Sequence, residues 1–165
     1  MPTHYDGSPQ EKLALNTFIK LTRSVEALTN RLSQRGTLGD LTPSQFGVLE
    51  VLYHLGSMCQ YELAVKILKS SGNMTMVIDN LEKHGLVQRQ RNTEDRRMVT
   101  VNLTPLGRAR IEAVLPVHVA AIQAELSVLT PAEQSELGEL CRKLGKPELG
   151  ISASPALPQT EELPA

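Results

Sequence analysis

Apolar residues recur along the first part of the chain at Ala14, Phe18, Leu21, Val25, Leu28 and Leu32, with spacings of 4, 3, 4, 3 and 4. That is the seam of an amphipathic helix that packs lengthwise on another helix, from its own chain or from a second copy. The pattern predicts a helix from about Pro9 to Gln34, capped by Ser8 and stopped by Gly36 and Gly39. Next comes Leu41-Thr42-Pro43-Ser44-Gln45. Thr42 is an N-cap, Pro43 suits the first helical position, and Gln45 completes a capping box. This second helix should turn Phe46, Leu49, Leu52 and Leu55 inward and end at Gly56. A short helix from about Gln60 to Leu68 follows, with Leu63, Ala64 and Ile67 on one face. Ser70-Ser71-Gly72 forms a turn and cap, and a further helix from about Gly72 to His84 buries Met74, Val77, Ile78 and Leu81 before Gly85 ends it.

The period then changes from helical to two. Leu86–Arg91 and Met98–Leu103 read as strands, and the polar run 92–97 between them reads as a hairpin tip. Thr104-Pro105 opens a helix expected to reach about Leu129, with Leu115, Val119, Ile122 and Leu126 on one side and a kink at Pro116. Thr130-Pro131-Ala132-Glu133 is another capping box, and its helix should run to about Lys146. The predicted class is mainly α with a small β-hairpin, an α+β fold. Residues 1–9 are expected to form a flexible N-terminus, 10–36 and 107–146 the dimerisation helices, 40–106 a DNA-binding lobe, and the proline-containing stretch 147–165 a disordered tail.

Composition narrows this further. The 165 residues include no Trp, two Phe and three Tyr, so the core must be aliphatic, which suits helices packed on helices. The net charge of −1 is uninformative, but its distribution is uneven. From Lys83 to Arg110 seven cations accompany only Glu94 and Asp95, whereas from Ile111 onward eight carboxylates outnumber three cations. A basic zone on an acidic scaffold suits a polyanion-binding lobe, although a solvated charged surface gives the same counts. The start of the chain lacks a basic segment followed by an apolar run, no stretch is long enough to span a membrane, and two cysteines cannot build a disulfide framework. A cytoplasmic protein, nucleoid-associated when bound to DNA, is the expectation.

Two short helices joined by a tight turn and followed by a basic two-stranded ribbon form a winged helix-turn-helix. A helix fits the major groove, and polar side chains near its N-terminus meet base edges. Ser70, Ser71, Asn73, Thr75, Met76 and Asn80 are the candidates on the second helix, and Arg89 is a further cation on the ribbon. The helix N-terminus also offers free N–H groups to a phosphate. At the wing tip, Arg96 and Arg97 suit a narrow minor groove, with Asp95 placed to orient one of them.

The run Leu41–Phe46, the segment Ser71–Thr75 continuing through Leu81–Val87, and Glu94-Asp95-Arg96-Arg97 followed by Leu103-Thr104-Pro105-Leu106-Gly107 resemble the MarR family of bacterial regulators, in order and spacing across about residues 10–146. The resemblance implies a homodimer whose first and last helices intertwine, each subunit presenting one recognition helix and one wing. It implies that Ser71, Asn73, Thr75 and Met76 contact the major groove and Arg96 or Arg97 the minor groove of a near-palindromic double-stranded operator. It also implies an effector site between the lobes, lined by parts of the first, second and late helices, for which Phe18, Tyr53, His54 and His118 are candidates. Asn92 departs from the pattern, since the family often carries an acidic residue there. Phe18, Leu21, Ile122, Leu126, Leu137, Leu140 and Leu144 are the candidate dimer contacts.

Cys59 reads as a small hydrophobe at a turn or, more sharply, as an oxidant-sensing thiol; Cys141 reads as a packing residue. His4, His54, His84 and His118 are scattered and give no metal-ligand spacing, so neither metal nor cofactor is expected. No Gly-rich phosphate loop or nucleophile–base arrangement is present, so an enzyme is not expected. The expected function is a sequence-specific repressor released by a phenolic or quinone-like effector, with cysteine oxidation as a second route. The alternative is a ligand-independent winged-helix module that serves an architectural role or binds protein.

Overall fold

The computed structural model describes residues 4–91 and 99–145. Helix α1 spans Pro9–Gln34. Its N-terminus is closed reciprocally: the Glu11 N–H donates to Ser8 Oγ at 3.3 Å, and the Ser8 N–H donates to the Glu11 carboxylate at 2.7 Å. After Arg35 the chain turns at Gly36, whose φ of +61° favours a residue without Cβ. No residue of α1 is buried, and Phe18 and Val25 on the seam are 62% and 54% exposed. Leu21, Leu28 and Leu32 of the same seam are half-buried, so the described residues cover it only in part.

Helix α2 covers Pro43–Leu55, with the box predicted at Thr42 and Gln45 in place. Val48, Leu49 and Leu52 are its buried residues. Leu55, expected inside, is 59% exposed. The helix ends on this residue and Gly56, with φ +79°, turns the chain away, which leaves the last leucine at the surface. Strand β1, Met58–Cys59, was not foreseen. It is followed by α3, Gln60–Lys66, shorter than predicted at its C-terminal end, and by α4, Ser71–Lys83. Ser70 is the cap of α4, accepting the Asn73 N–H, so Ser71 and Gly72 belong to the helix rather than to a preceding turn. Met74, Ile78 and Leu81 are fully buried with Val77 packed beside them, and Gly85, φ +68°, ends the run as expected.

Strands β2, Val87–Arg91, and β3, Val99–Leu103, pair antiparallel with Val87 opposite Leu103 and Arg89 opposite Val101. Met58 pairs with Val101 on the other side, so β3 is the middle strand in the order β1-β3-β2. Leu49, Leu63, Met74, Ile78, Leu81 and Ile111 form a largely aliphatic core with Val87 and Val101 of this sheet, and Phe46 and Tyr53 pack against it.

Helix α5, Pro105–Leu126, begins at an unusually tight junction. The Thr104 hydroxyl donates to the Gly85 carbonyl at 2.7 Å and accepts the Gly107 N–H at 3.0 Å. A Cβ on Gly107 would sit 1.9 Å from the Leu86 carbonyl oxygen. The Leu-Thr-x-x-Gly pattern is thereby explained: threonine stitches α5 to the turn after α4, and glycine lets the helix touch that backbone. The helix continues through Pro116 and buries Ile111, Val114 and Ala121. Of the apolar stripe predicted along one side of this helix, Leu115, Ile122 and Leu126 are half-buried and Val119 is 51% exposed. It ends at Leu126 rather than Leu129, where the Leu129 N–H turns back to the Leu126 carbonyl.

The described residues from Leu126 to Gly145 belong to a second unit. Within it α6, Pro131–Leu144, starts on the predicted box of Thr130 and Glu133. It buries none of its residues, and Leu137, Leu140 and Leu144 are exposed. The expected helix end at Lys146 and the tail 147–165 lie outside the described residues, as does the start of the chain before His4.

Candidate nucleic-acid interface and effector cavity

The outer surface of α4 carries Ser71, Asn73, Thr75, Met76, Asp79 and Asn80, all exposed. This follows from the helical period, because burying Met74, Ile78 and Leu81 turns the intervening positions outward. Met76 is 73% exposed, a large apolar side chain on this outer surface. Two of the uncharged polar groups are held in place. The Thr75 hydroxyl donates to the Ser71 carbonyl at 3.1 Å and accepts from Gln60 Nε2 at 2.6 Å, tying the start of α3 to α4. Asn80 accepts from Gln45 Nε2 of α2 through its side chain, and its backbone carbonyl lies 2.8 Å from His84 Nδ1. Asn80 is therefore engaged toward α2, whereas among the described residues the side chains of Ser71, Asn73 and Met76 make no such bond.

Arg89, counted from the sequence among the DNA contacts, is committed within its own chain. Its guanidinium meets Asp79 at 2.6 Å and Glu82 at 2.7 Å, and its backbone N–H donates to the other Glu82 oxygen at 2.8 Å. These bonds hold the Glu82 carboxyl below the usual carboxylate range, with the backbone donor as the largest cause. Asn92, Asp95, Arg96 and Arg97 lie outside the described residues.

A cavity of about 320 Å³ opens where the end of α1, the 35–42 connection, the first turn of α2 and the middle of α5 converge. Leu32, Thr37, Leu38, Leu41, Phe46 and His118 form much of its wall. Thr37 Oγ1 lies 2.8 Å from His118 Nδ1, and the Phe46 ring meets the imidazole edge-to-face at 4.9 Å. Burial pushes the His118 pKa below the ordinary histidine value, which disfavours the charged ring. None of the described residues lining the cavity carries a fixed charge. Glu125 of α5 binds Arg31 at 2.6 Å and Arg35 at 2.5 Å, so these two cations are already paired.

Of the four residues proposed for an effector pocket, His118 alone lines this cavity. Tyr53 and His54 sit about two turns, ~11 Å, further along α2 than Phe46; the Tyr53 ring instead stacks under the Arg108 guanidinium at 5.2 Å and contacts His54. Phe18 borders a separate hollow with Tyr5, Ala14 and Leu15. Sequence reasoning missed Thr37 and Phe46, because nothing local marks a connection and a capped first turn as walls of one chamber.

Cys59 is half-buried on β1, and its N–H donates to the Glu62 carboxylate at 2.8 Å; Cys141 is exposed on α6. Among the described residues no group of His, Cys, Asp or Glu could hold a metal ion, and no single helix is long and apolar enough to cross a membrane.

Comparison with known proteins is consistent with this architecture. The family model described as MarR family matches residues 41–99, the helix-turn-helix and the strand region. The HTH-type transcriptional regulator MhqR of Bacillus subtilis (strain 168) is 32% identical over 132 residues, covering 80% of this chain and 91% of that protein. The HTH-type transcriptional repressor MdtR of the same organism is 33% identical over 106 residues, covering 64% of this chain and 68% of the relative. Among solved structures, one concerned with regulation of DNA binding of Bordetella bronchiseptica BpsR by 6-hydroxynicotinic acid superposes with a TM-score of 0.72 at 26% identity, covering 87% of this chain and 97% of that one. These relatives are regulators rather than enzymes, and the chain described here belongs to the MarR family of transcriptional regulators.

Proposed function

We propose that this regulator is a homodimeric, cytoplasmic repressor that binds a near-palindromic double-stranded operator and releases it when a small aromatic molecule enters the cavity beside His118. The observation that carries the reading is the open apolar seam of α1 combined with the outward polar face of α4. A second copy would cover the seam through Phe18 and Leu21 of α1, with Ile122 and Leu126 of α5 and Leu137, Leu140 and Leu144 of α6 as further contacts. A twofold axis would then set the two α4 helices about one DNA turn, ~34 Å, apart. Ser71, Asn73, Thr75 and Met76 would meet base edges, and Arg96 and Arg97 of the wing the neighbouring minor groove. MdtR, a repressor, and BpsR, whose DNA binding is regulated by a small aromatic acid, support repression and ligand release by analogy. A wall of leucines, Phe46, His118 and the uncharged polar side chains Thr29, Asn30, Ser33 and Thr37, with no fixed charge, favours an uncharged phenol or quinone. The effector acts only through a difference in affinity between DNA-bound and released states.

Mobility shift on the DNA flanking the protein's own gene, with and without a panel of phenols and quinones, tests this. Salt-dependent, sequence-selective binding relieved by at least one compound is expected. Selective binding that no compound relieves would leave a ligand-independent module, and binding without sequence preference would refute the operator.

A further inference from the structure

We propose that Arg89 contacts no DNA and instead masks the carboxylates of Asp79 and Glu82, keeping the recognition helix fit to approach a polyanion and fixing the β2 strand to it. The inference goes beyond the proposed function and rests on that reading only in taking α4 as the DNA-facing helix.

Asp79 lies on the outward half of α4, on the same surface as Thr75 and Met76, and its side chain is 58% exposed. A bare carboxylate there would repel phosphates as the helix enters the groove, or would favour a cytosine amine over other bases. Glu82 stands one turn further along the same helix. Arg89 answers both with separate nitrogens, Nη2 to Asp79 and Nη1 to Glu82. A planar, always-charged fork suits two acceptors in a way that a lysine ammonium does not. Its side chain is only 25% exposed, and leaving both carboxylates to reach a phosphate would forfeit two charge-assisted bonds for one. The third bond, from the Arg89 N–H to Glu82, locks the strand backbone to the helix, so the base of the wing and the reading helix move as one body. Arg89 is in this sense a positioning residue.

The two roles separate in a double-mutant cycle on a duplex selected from a random-sequence library by the parent protein. Glu82 is left intact in every variant because it also holds the strand. With masking, Arg89→Met lowers affinity about tenfold or more, and adding Asp79→Asn restores most of it, whereas Asp79→Asn alone changes affinity less than about twofold. A direct phosphate contact predicts the reverse coupling: Asp79→Asn frees the arginine and helps only while Arg89 is present. The slope of log affinity against log salt, measured between about 50 and 200 mM, gives an independent readout. In the double variant carrying both Arg89→Met and Asp79→Asn, it stays at the parental value if Arg89 masks, and loses about 0.9 if Arg89 contacts a phosphate. Should Arg89→Met fail to fold, Arg89→Lys serves. It keeps the charge but grips one carboxylate, so masking predicts weakened binding rescued by Asp79→Asn, and a phosphate contact predicts near-parental binding without rescue. Reverse coupling, or a lost unit of slope, overturns the proposal. A parent protein that selects no duplex refutes the operator reading instead.

Discussion

Thr37 and His118 stand 81 residues apart in the chain, and their side chains meet at 2.8 Å. The contact joins the connection after α1 to the middle of α5 across the cavity that Phe46 also borders. It makes His118 a titratable group facing the proposed effector.

The pH dependence of stability follows from the sign of the His118 shift. Burial lowers its pKa in the folded state, so between the ordinary histidine value of about 6.5 and the lowered one the unfolded chain binds more protons. The stabilising contribution is whole above that ordinary value and is lost as pH falls through the folded pKa. His118→Gln should therefore lose less stability than the parent in urea denaturation when pH drops from about 7.5 to 5.5. Equal losses in the two proteins would remove His118 from the acid response.

Gly107 and Gly138 make opposite predictions for the same chemical change. A Cβ on Gly107 collides with the Leu86 carbonyl, whereas nothing lies within 4 Å of one on Gly138 inside α6. Gly107→Ala should destabilise by about 3 kcal/mol or more. Gly138→Ala should stabilise by about 0.5–1 kcal/mol through helix propensity. Chemical denaturation of both variants checks the pair, and a neutral Gly107→Ala would mean that the α5 junction is looser than described.

Thr42→Ala removes the oxygen that accepts the Gln45 N–H at 3.2 Å and opens one half of the α2 capping box. A loss of about 1 kcal/mol is expected, read as a shift of the denaturation midpoint at unchanged slope. Thr42→Ser should keep most of it, and an equal loss in both variants would count against the cap.

Phe18, 62% exposed on the α1 seam, tests the assembly. Phe18→Glu would bury a charge in the proposed dimer and should give a monomer in sedimentation with operator affinity lowered at least ~100-fold, while the thermal transition of the helix-turn-helix core persists. A parent protein that sediments as a monomer would end the dimer reading at once.

Much of this architecture is legible in one dimension because its signals are local. Ser8, Thr42 and Thr130 each close a helix with a partner three residues on, so the chemistry and its reason lie in one short string. The period-two runs around β2 and β3 needed only their own alternation; the order of capped helices and ribbon suggested a winged helix-turn-helix, and the runs from Leu41, Ser71 and Glu94 carried the resemblance to the family. The two-residue strand β1 was invisible, because its identity depends on Val101 and Thr100 far along the chain. Leu55 misled for a related reason: its helical phase is regular, but the helix ends there.

What the chain determines by itself is where the capped helices start and which stripe of each is apolar, since unpaired N–H groups and side-chain phase are settled within a turn or two. Tertiary structure alone decided that Arg89 commits its charge to Asp79 and Glu82, that Gly107 touches backbone, and that Thr37, Phe46 and His118 share one chamber. Those outcomes depend on which surfaces close-packing brings within a few ångströms, and residues distant in the chain carry no local mark of the neighbour they will meet.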